Sequence, residues 1–231
     1  MKNKTKLAAW FVSHCGTSGG REDYVKELKK HMPVDIYGRC GDLKCPKNDT
    51  EGCNRMLSRD YKFYLSFENN FCRDYVTEKL WTALANDAVA VVYGAVDYSQ
   101  FAPPGSYIDH RDFASPKHLA DYLIYLDGNQ TAYEQYFDWR KRYVPRKQCS
   151  ATRTSDCFQS SWCRLCQMLH DPSLPRKNIS THIDEWMNND GPSCGRKGPI
   201  PFARPEAAAL WTTKKTTWRD LFTWTSSFLT L

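Results

Sequence analysis

Four apolar runs of strand length, separated by helical periodicity and turn residues, leave this chain few folds to choose from. They are Leu7–Ser13 (LAAWFVS), Val34–Tyr37 (VDIY), Tyr61–Phe67 (YKFYLSF) and Ala88–Tyr93 (AVAVVY). Between the first two, Arg21 opens a segment in which Tyr24, Val25, Leu28 and Met32 share one helical face, and Pro33 stops it. Strand, helix, strand with short connections is a βαβ unit, which implies a parallel sheet and a right-handed crossover. A second helix is expected over Asp74–Asn86, with Val76, Leu80, Ala83 and Leu84 turned one way. AVAVVY has no polar alternate position, as expected of a strand covered on both faces. Tyr107–Asp109 reads as a short extended piece. Ser115-Pro116 then pairs an N-cap with proline at the first helical position, and Thr131–Tyr143 continues as an aromatic helix. Cys40–Ser58 reads as a loop. The fold class is therefore α/β, a Rossmann-like parallel sheet with helices on both faces.

The 231 residues, 41% of them hydrophobic, suffice for one well-buried domain. Charge is unevenly spread: residues 1–140 hold 18 Lys and Arg against 19 Asp and Glu, whereas residues 141–231 hold 14 against 7. The basic excess belongs to the C-terminal part, which carries no Arg-rich run and no base-reading motif, so nucleic acid is not an expected partner. Three parts are expected: a sheet domain over 1–147, a Cys-rich extension over 148–184, and a divergent, weakly ordered tail over 185–231.

Ten cysteines and four N-x-[ST] sequons, among them Asn48, Asn129 and Asn178, lean toward a secretory lumen. Neither a signal peptide nor a membrane-spanning run opens the chain, and the reading expects the rear portion of a longer protein. Cys163-Arg-Leu-Cys166, with His170 nearby, has no second pair at zinc spacing. Disulfides drawn from Cys40, Cys45, Cys53, Cys163 and Cys166 are favoured over zinc or redox chemistry. Cys72 is either bridged or buried.

Two strand-to-helix corners carry the chemistry. GTSGGR (Gly16–Arg21) offers backbone N–H groups, a helix N-terminus and a guanidinium, which suit a phosphate but also describe an ordinary tight turn. The second corner is FENNFCRDYVTEK (Phe67–Lys79), where the third strand delivers Glu68 and Asn69 to the carboxyl edge of the sheet. A helix begun before Tyr75 would place Tyr75, Glu78 and Lys79 on one face. That trio suits a nucleoside diphosphate or, equally, a solvated surface.

FYLSFENNFCRDYVTEKLWTAL resembles the signature of the α1,3-fucosyltransferases, F-x-FEN-S-x-C-x-DYVTEK; Asn70 departs from it where the family usually has Ser. AWFVSHCGTSGGREDYVKEL, VDIYGRCG, VVYGAVDYSQFAPPGSYID and YFDWR are similar to further family landmarks, from about Leu7 to about His170, and the arrangement is closest to invertebrate members. The resemblance implies a GT-B glycosyltransferase, of which this chain looks like the C-terminal, donor-binding half. It implies that Arg21 and Lys79 bind the diphosphate of GDP-fucose, and that Asn69, Tyr75 and Glu78 complete the donor site. It further implies transfer of fucose with inversion to GlcNAc of a glycoprotein glycan, with no metal or cofactor required. The general base is expected in an N-terminal domain, so no catalytic residue is expected here. The full-length form is expected to be anchored in the Golgi membrane on its lumenal side. Rival expectations are a nucleotide-sugar-binding remnant without turnover and a zinc-linked interaction module on the Cys-rich tail.

Overall fold

The computed structural model describes residues 4–72, 75–143, 166 and 168–171. The last two expected parts, with Cys163 and Asn178, lie almost wholly outside them.

Five strands form one parallel sheet: β1 (Lys6–Phe11), β2 (Val34–Tyr37), β3 (Tyr61–Phe67), β4 (Val89–Tyr93) and β5 (Tyr107–Asp109), in the order β2-β1-β3-β4-β5. Register is set by pairs such as Ala8 with Phe63 and Leu65 with Val91. The period-2 alternation divides the strands between two cores. Trp10, Phe63, Leu65, Phe67, Val89 and Val91 face α1 (Arg21–Leu28), α4 (Pro116–Gly128) and α5 (Gln130–Gln135). Ala9, Tyr64, Ala90 and Val92 face α2 (Thr50–Asp60) and α3 (Glu78–Ala85). β4 is buried along its whole length between them, as AVAVVY requires. Each fully buried Leu or Phe of these layers stabilises the fold by about 2 kcal/mol. Among the described residues no helix is long and apolar enough to cross a membrane.

Three expectations change. The segment read as a loop contains α2, whose N-cap Asp49 accepts the N–H of Gly52 at 2.9 Å and whose Cys53 and Leu57 are buried. α5 is shorter than expected, ending at Gln135 before a 3-10 turn over Asp138–Lys141. The third change concerns α3, which starts at Glu78 rather than near Asp74.

Disulfides join Cys15 to Cys40 and Cys45 to Cys53. Cys15 was not among the expected partners; it lies just beyond β1, and the spacing gives no hint of a bond to the turn after β2. Cys72 is also disulfide-bonded. Cys166 is not: it is an exposed free thiol, so the expectation that it is bridged is overturned. Asn48 is exposed. Asn129 is already engaged, its carbonyl capping Ala132 and its amide nitrogen donating to the Tyr125 hydroxyl at 3.0 Å.

Candidate donor site

Strand order reverses direction between β1 and β3: the chain moves out to β2, then crosses to the far side of β1. In open parallel sheets the crevice beyond the carboxyl ends at such a point is where ligands bind. A cleft of about 400 Å³ opens there. Its floor is the end of β1 with Tyr64 of β3, one wall is α2 with the Cys45–Cys53 bridge, and the other is the start of α3. Burial first, then the Glu78 and Glu68 carboxylates, push the Tyr64 phenol well above its usual value, so it remains neutral.

Arg21, Asn69, Glu78 and Lys79 all line this cleft. Tyr75 is not among its lining residues. It precedes the helix, its N–H donating to the Cys72 carbonyl at 3.3 Å, so the expected helical face shared with Glu78 and Lys79 does not exist. The cause is Glu68, which takes the N–H of Thr77 at 2.7 Å and holds that residue extended (φ −126°, ψ −174°), delaying the first helical turn.

The first corner is tightly built. The residue Arg21 is 1% exposed. One terminal nitrogen of its guanidinium donates to the Phe67 carbonyl at 2.8 Å and the other to the His14 carbonyl at 2.7 Å, so it ties the ends of β1 and β3 together. Each of those nitrogens keeps a second N–H. The Gly19 N–H donates to the Asn69 carbonyl at 3.0 Å, and a Cβ on Gly19 would lie 2.6 Å from that oxygen, so only glycine fits. Asn70 earns its place by accepting from the Ser18 hydroxyl at 2.8 Å, stitching the two corner loops together. The Tyr93 hydroxyl supports the loop from below, donating to the Gly19 carbonyl at 2.8 Å.

At the second corner the Lys79 ammonium donates to Glu68 at 3.0 Å and to the Thr77 hydroxyl at 2.6 Å. Glu68 is 1% exposed. Glu68 is expected at the sheet edge but without a role there; its signal is a charged residue closing a largely apolar strand.

Helix capping separates these corners from the rest. Asp49, Ser115 and Asn129 cap α2, α4 and α5 with side-chain acceptors, whereas α1 and α3 have no side-chain cap. Their first-turn N–H groups are left to water or to an anion. Among the described residues no group of three or more His, Cys, Asp or Glu side chains could hold a metal ion.

The model of the glycosyltransferase family 10 (fucosyltransferase) C-terminal region matches residues 1–186. An alpha-(1,3)-fucosyltransferase of Caenorhabditis elegans is 45% identical over 208 residues, covering 89% of this chain and 46% of that protein. Alpha-(1,3)-fucosyltransferase C of Drosophila melanogaster is 44% identical over 187 residues, 80% of this chain and 41% of its own length. This chain thus spans less than half the length of these relatives. A crystal structure of an α1,3-fucosyltransferase with GDP-fucose superposes with a TM-score of 0.55 at 23% identity, over 76% of this chain and 50% of that one, a likeness of fold.

Proposed function

We propose a donor-site role on one premise: the chain belongs to glycosyltransferase family 10, the fucosyltransferases. In this reading the cleft takes GDP-fucose, and the protein of which it forms the donor half transfers fucose to GlcNAc of a glycoprotein glycan. The observation that carries it is the convergence of Arg21 and Lys79 on one cleft, at the mouths of the two helices that lack side-chain caps. A diphosphate needs that combination of fixed cations and open N–H groups.

The chemistry follows from where charge moves. As the acceptor hydroxyl attacks the anomeric carbon from the face opposite GDP, the bond to the diphosphate breaks and negative charge collects on the leaving oxygen. In this reading Arg21, Lys79 and the helix N-termini stabilise that charge without reorganising. These fixed positive groups make a metal unnecessary in this reading. Asn69 and Glu78 flank the same cleft and offer hydrogen bonds to the sugars; Tyr75 is left at its margin. The general base that takes the acceptor's proton is assigned to the portion of such proteins outside the matched half. The division at about residue 147 between donor domain and Cys-rich extension is retained as part of this proposal. A lumenal setting, with a longer form held at the Golgi membrane, is supported by the disulfides Cys15–Cys40 and Cys45–Cys53.

The test is calorimetric titration of GDP-fucose into the chain and into Lys79→Gln, which keeps a donor for Glu68 but loses the charge. Binding that weakens roughly tenfold or more in the variant, as expected for one charge-assisted contact, supports the reading. Equal binding by both overturns Lys79's role. Binding without fucose transfer by this chain alone is expected, since the general base is assigned outside it.

A further inference from the structure

We propose that the buried Glu68 is a positioning residue for the donor diphosphate, acting through Lys79 and through the N-terminus of α3; this rests on the donor-site reading above. A charged residue at the end of a strand whose every residue is buried has to be accounted for by its partners. Glu68 has them on both oxygens. One accepts the Thr77 N–H at 2.7 Å and the Thr77 hydroxyl at 3.0 Å. The other lies 2.8 Å from that hydroxyl and accepts the Lys79 ammonium at 3.0 Å. The Glu68 N–H donates to the Tyr93 carbonyl at 2.9 Å, so the carboxylate is carried by the sheet itself.

Two consequences bear on a ligand. Thr77 occupies the N-cap of α3, where threonine ordinarily accepts a first-turn N–H. Here its oxygen accepts from Lys79 at 2.6 Å and its proton is directed at Glu68, and it caps nothing. Glu68 thereby keeps the first-turn amides of α3 open. The second consequence concerns the ammonium, which has three protons. Glu68 and Thr77 take two, and the third has only the exposed Glu78 carboxylate at 3.4 Å. A phosphate oxygen entering the cleft meets a cation already oriented, on a side chain that otherwise samples many rotamers. Because three donors converge on the Glu68 carboxylate, its own repulsion of the phosphate is largely cancelled.

The distinction from a merely structural carboxylate lies in coupling. GDP is titrated into the wild-type chain, Glu68→Gln, Lys79→Gln and the double variant, with thermal melts alongside. We expect Glu68→Gln to weaken GDP about tenfold with Lys79 present and less than twofold with Lys79→Gln. Equal losses in the two backgrounds would show that Glu68 does not act through Lys79 and overturn the inference, as would unchanged or tighter binding by Glu68→Gln. If Glu68→Gln does not fold, Thr77→Val replaces it, since it breaks the same chain at the hydroxyl and must show the same coupling. A folded wild-type chain that binds neither GDP nor GDP-fucose overturns the donor-site reading itself and this inference with it. Binding by the wild type with additive losses overturns the inference only.

Discussion

At the end of β1, Thr17 gives its N–H and hydroxyl to Glu22 while the Arg21 guanidinium lies 3.4 Å away; at the end of β3, Thr77 gives its N–H and hydroxyl to Glu68 while the Lys79 ammonium lies 3.0 Å away. Each corner is thus a threonine, a glutamate and a cation, yet burial is inverted between them. In the first the cation is the buried member, its side chain 2% exposed against 27% for Glu22; in the second the carboxylate is, at 1% against 13% for Lys79. The difference follows from the shape of the cations. A guanidinium fork can satisfy two backbone carbonyls at once, and Arg21 spends two arms doing so for His14 and Phe67. An ammonium is a point charge on a flexible stem, and Lys79 needs a fixed anion to hold it. The first corner clamps the sheet and the second presents a charge.

The largest effect that could break this contrast is on stability. Arg21→Ala strands two carbonyls that now accept charge-assisted bonds, and should lower the unfolding free energy by about 3–5 kcal/mol in denaturant melts. Arg21→Lys should recover little of it, because one ammonium cannot span both acceptors. Lys79→Gln should cost no more than about 1–2 kcal/mol, with its main effect on binding. Similar stability losses at both cations would erase the distinction. Next comes Gly19→Ala, which drives a methyl onto the Asn69 carbonyl and forces the two loops apart, costing about 1–3 kcal/mol in the same melts. A neutral result would mean that the loops are not locked.

The smallest effect sharpens the first corner alone. His110 is fully buried against the rings of Tyr24, Phe71 and Tyr93, under the loop that Tyr93 supports. Burial lowers its pKa first; Asp109 opposes this and Arg111 reinforces it. The folded chain therefore resists protonation where the unfolded chain, with an ordinary value near 6.5, accepts it. Stability from this group is complete above that value and is lost as pH falls below it. Thermal melts from about pH 7 to pH 5 should show a drop that His110→Phe flattens.

Much of this arrangement is legible in sequence because it rests on local periodicity. β2 and β3 begin and end where their apolar runs do, and Ser115 caps α4 with its oxygen on His118 as Ser-Pro predicts. Arg21 and Lys79 likewise stand where two strand-to-helix corners had to place them. What was not legible is decided by contacts distant in sequence. Tyr75 stands before α3 rather than on it because Glu68, nine residues before Thr77, overrides the helical start. α2 went unread because its buried face is short: the signal was Cys53, Met56 and Leu57 at helical spacing, masked by cysteines that pointed to a loop. Arg21's second task, bridging two strands, has no sequence signature at all.

The central claim is that both corners together hold one diphosphate. Amide hydrogen exchange with and without GDP tests it most directly. The account predicts slowed exchange at the first turns of α1 and α3 together, with α4 and α5 unchanged. Measurable GDP binding that protects neither first turn, or only one of them, would contradict it.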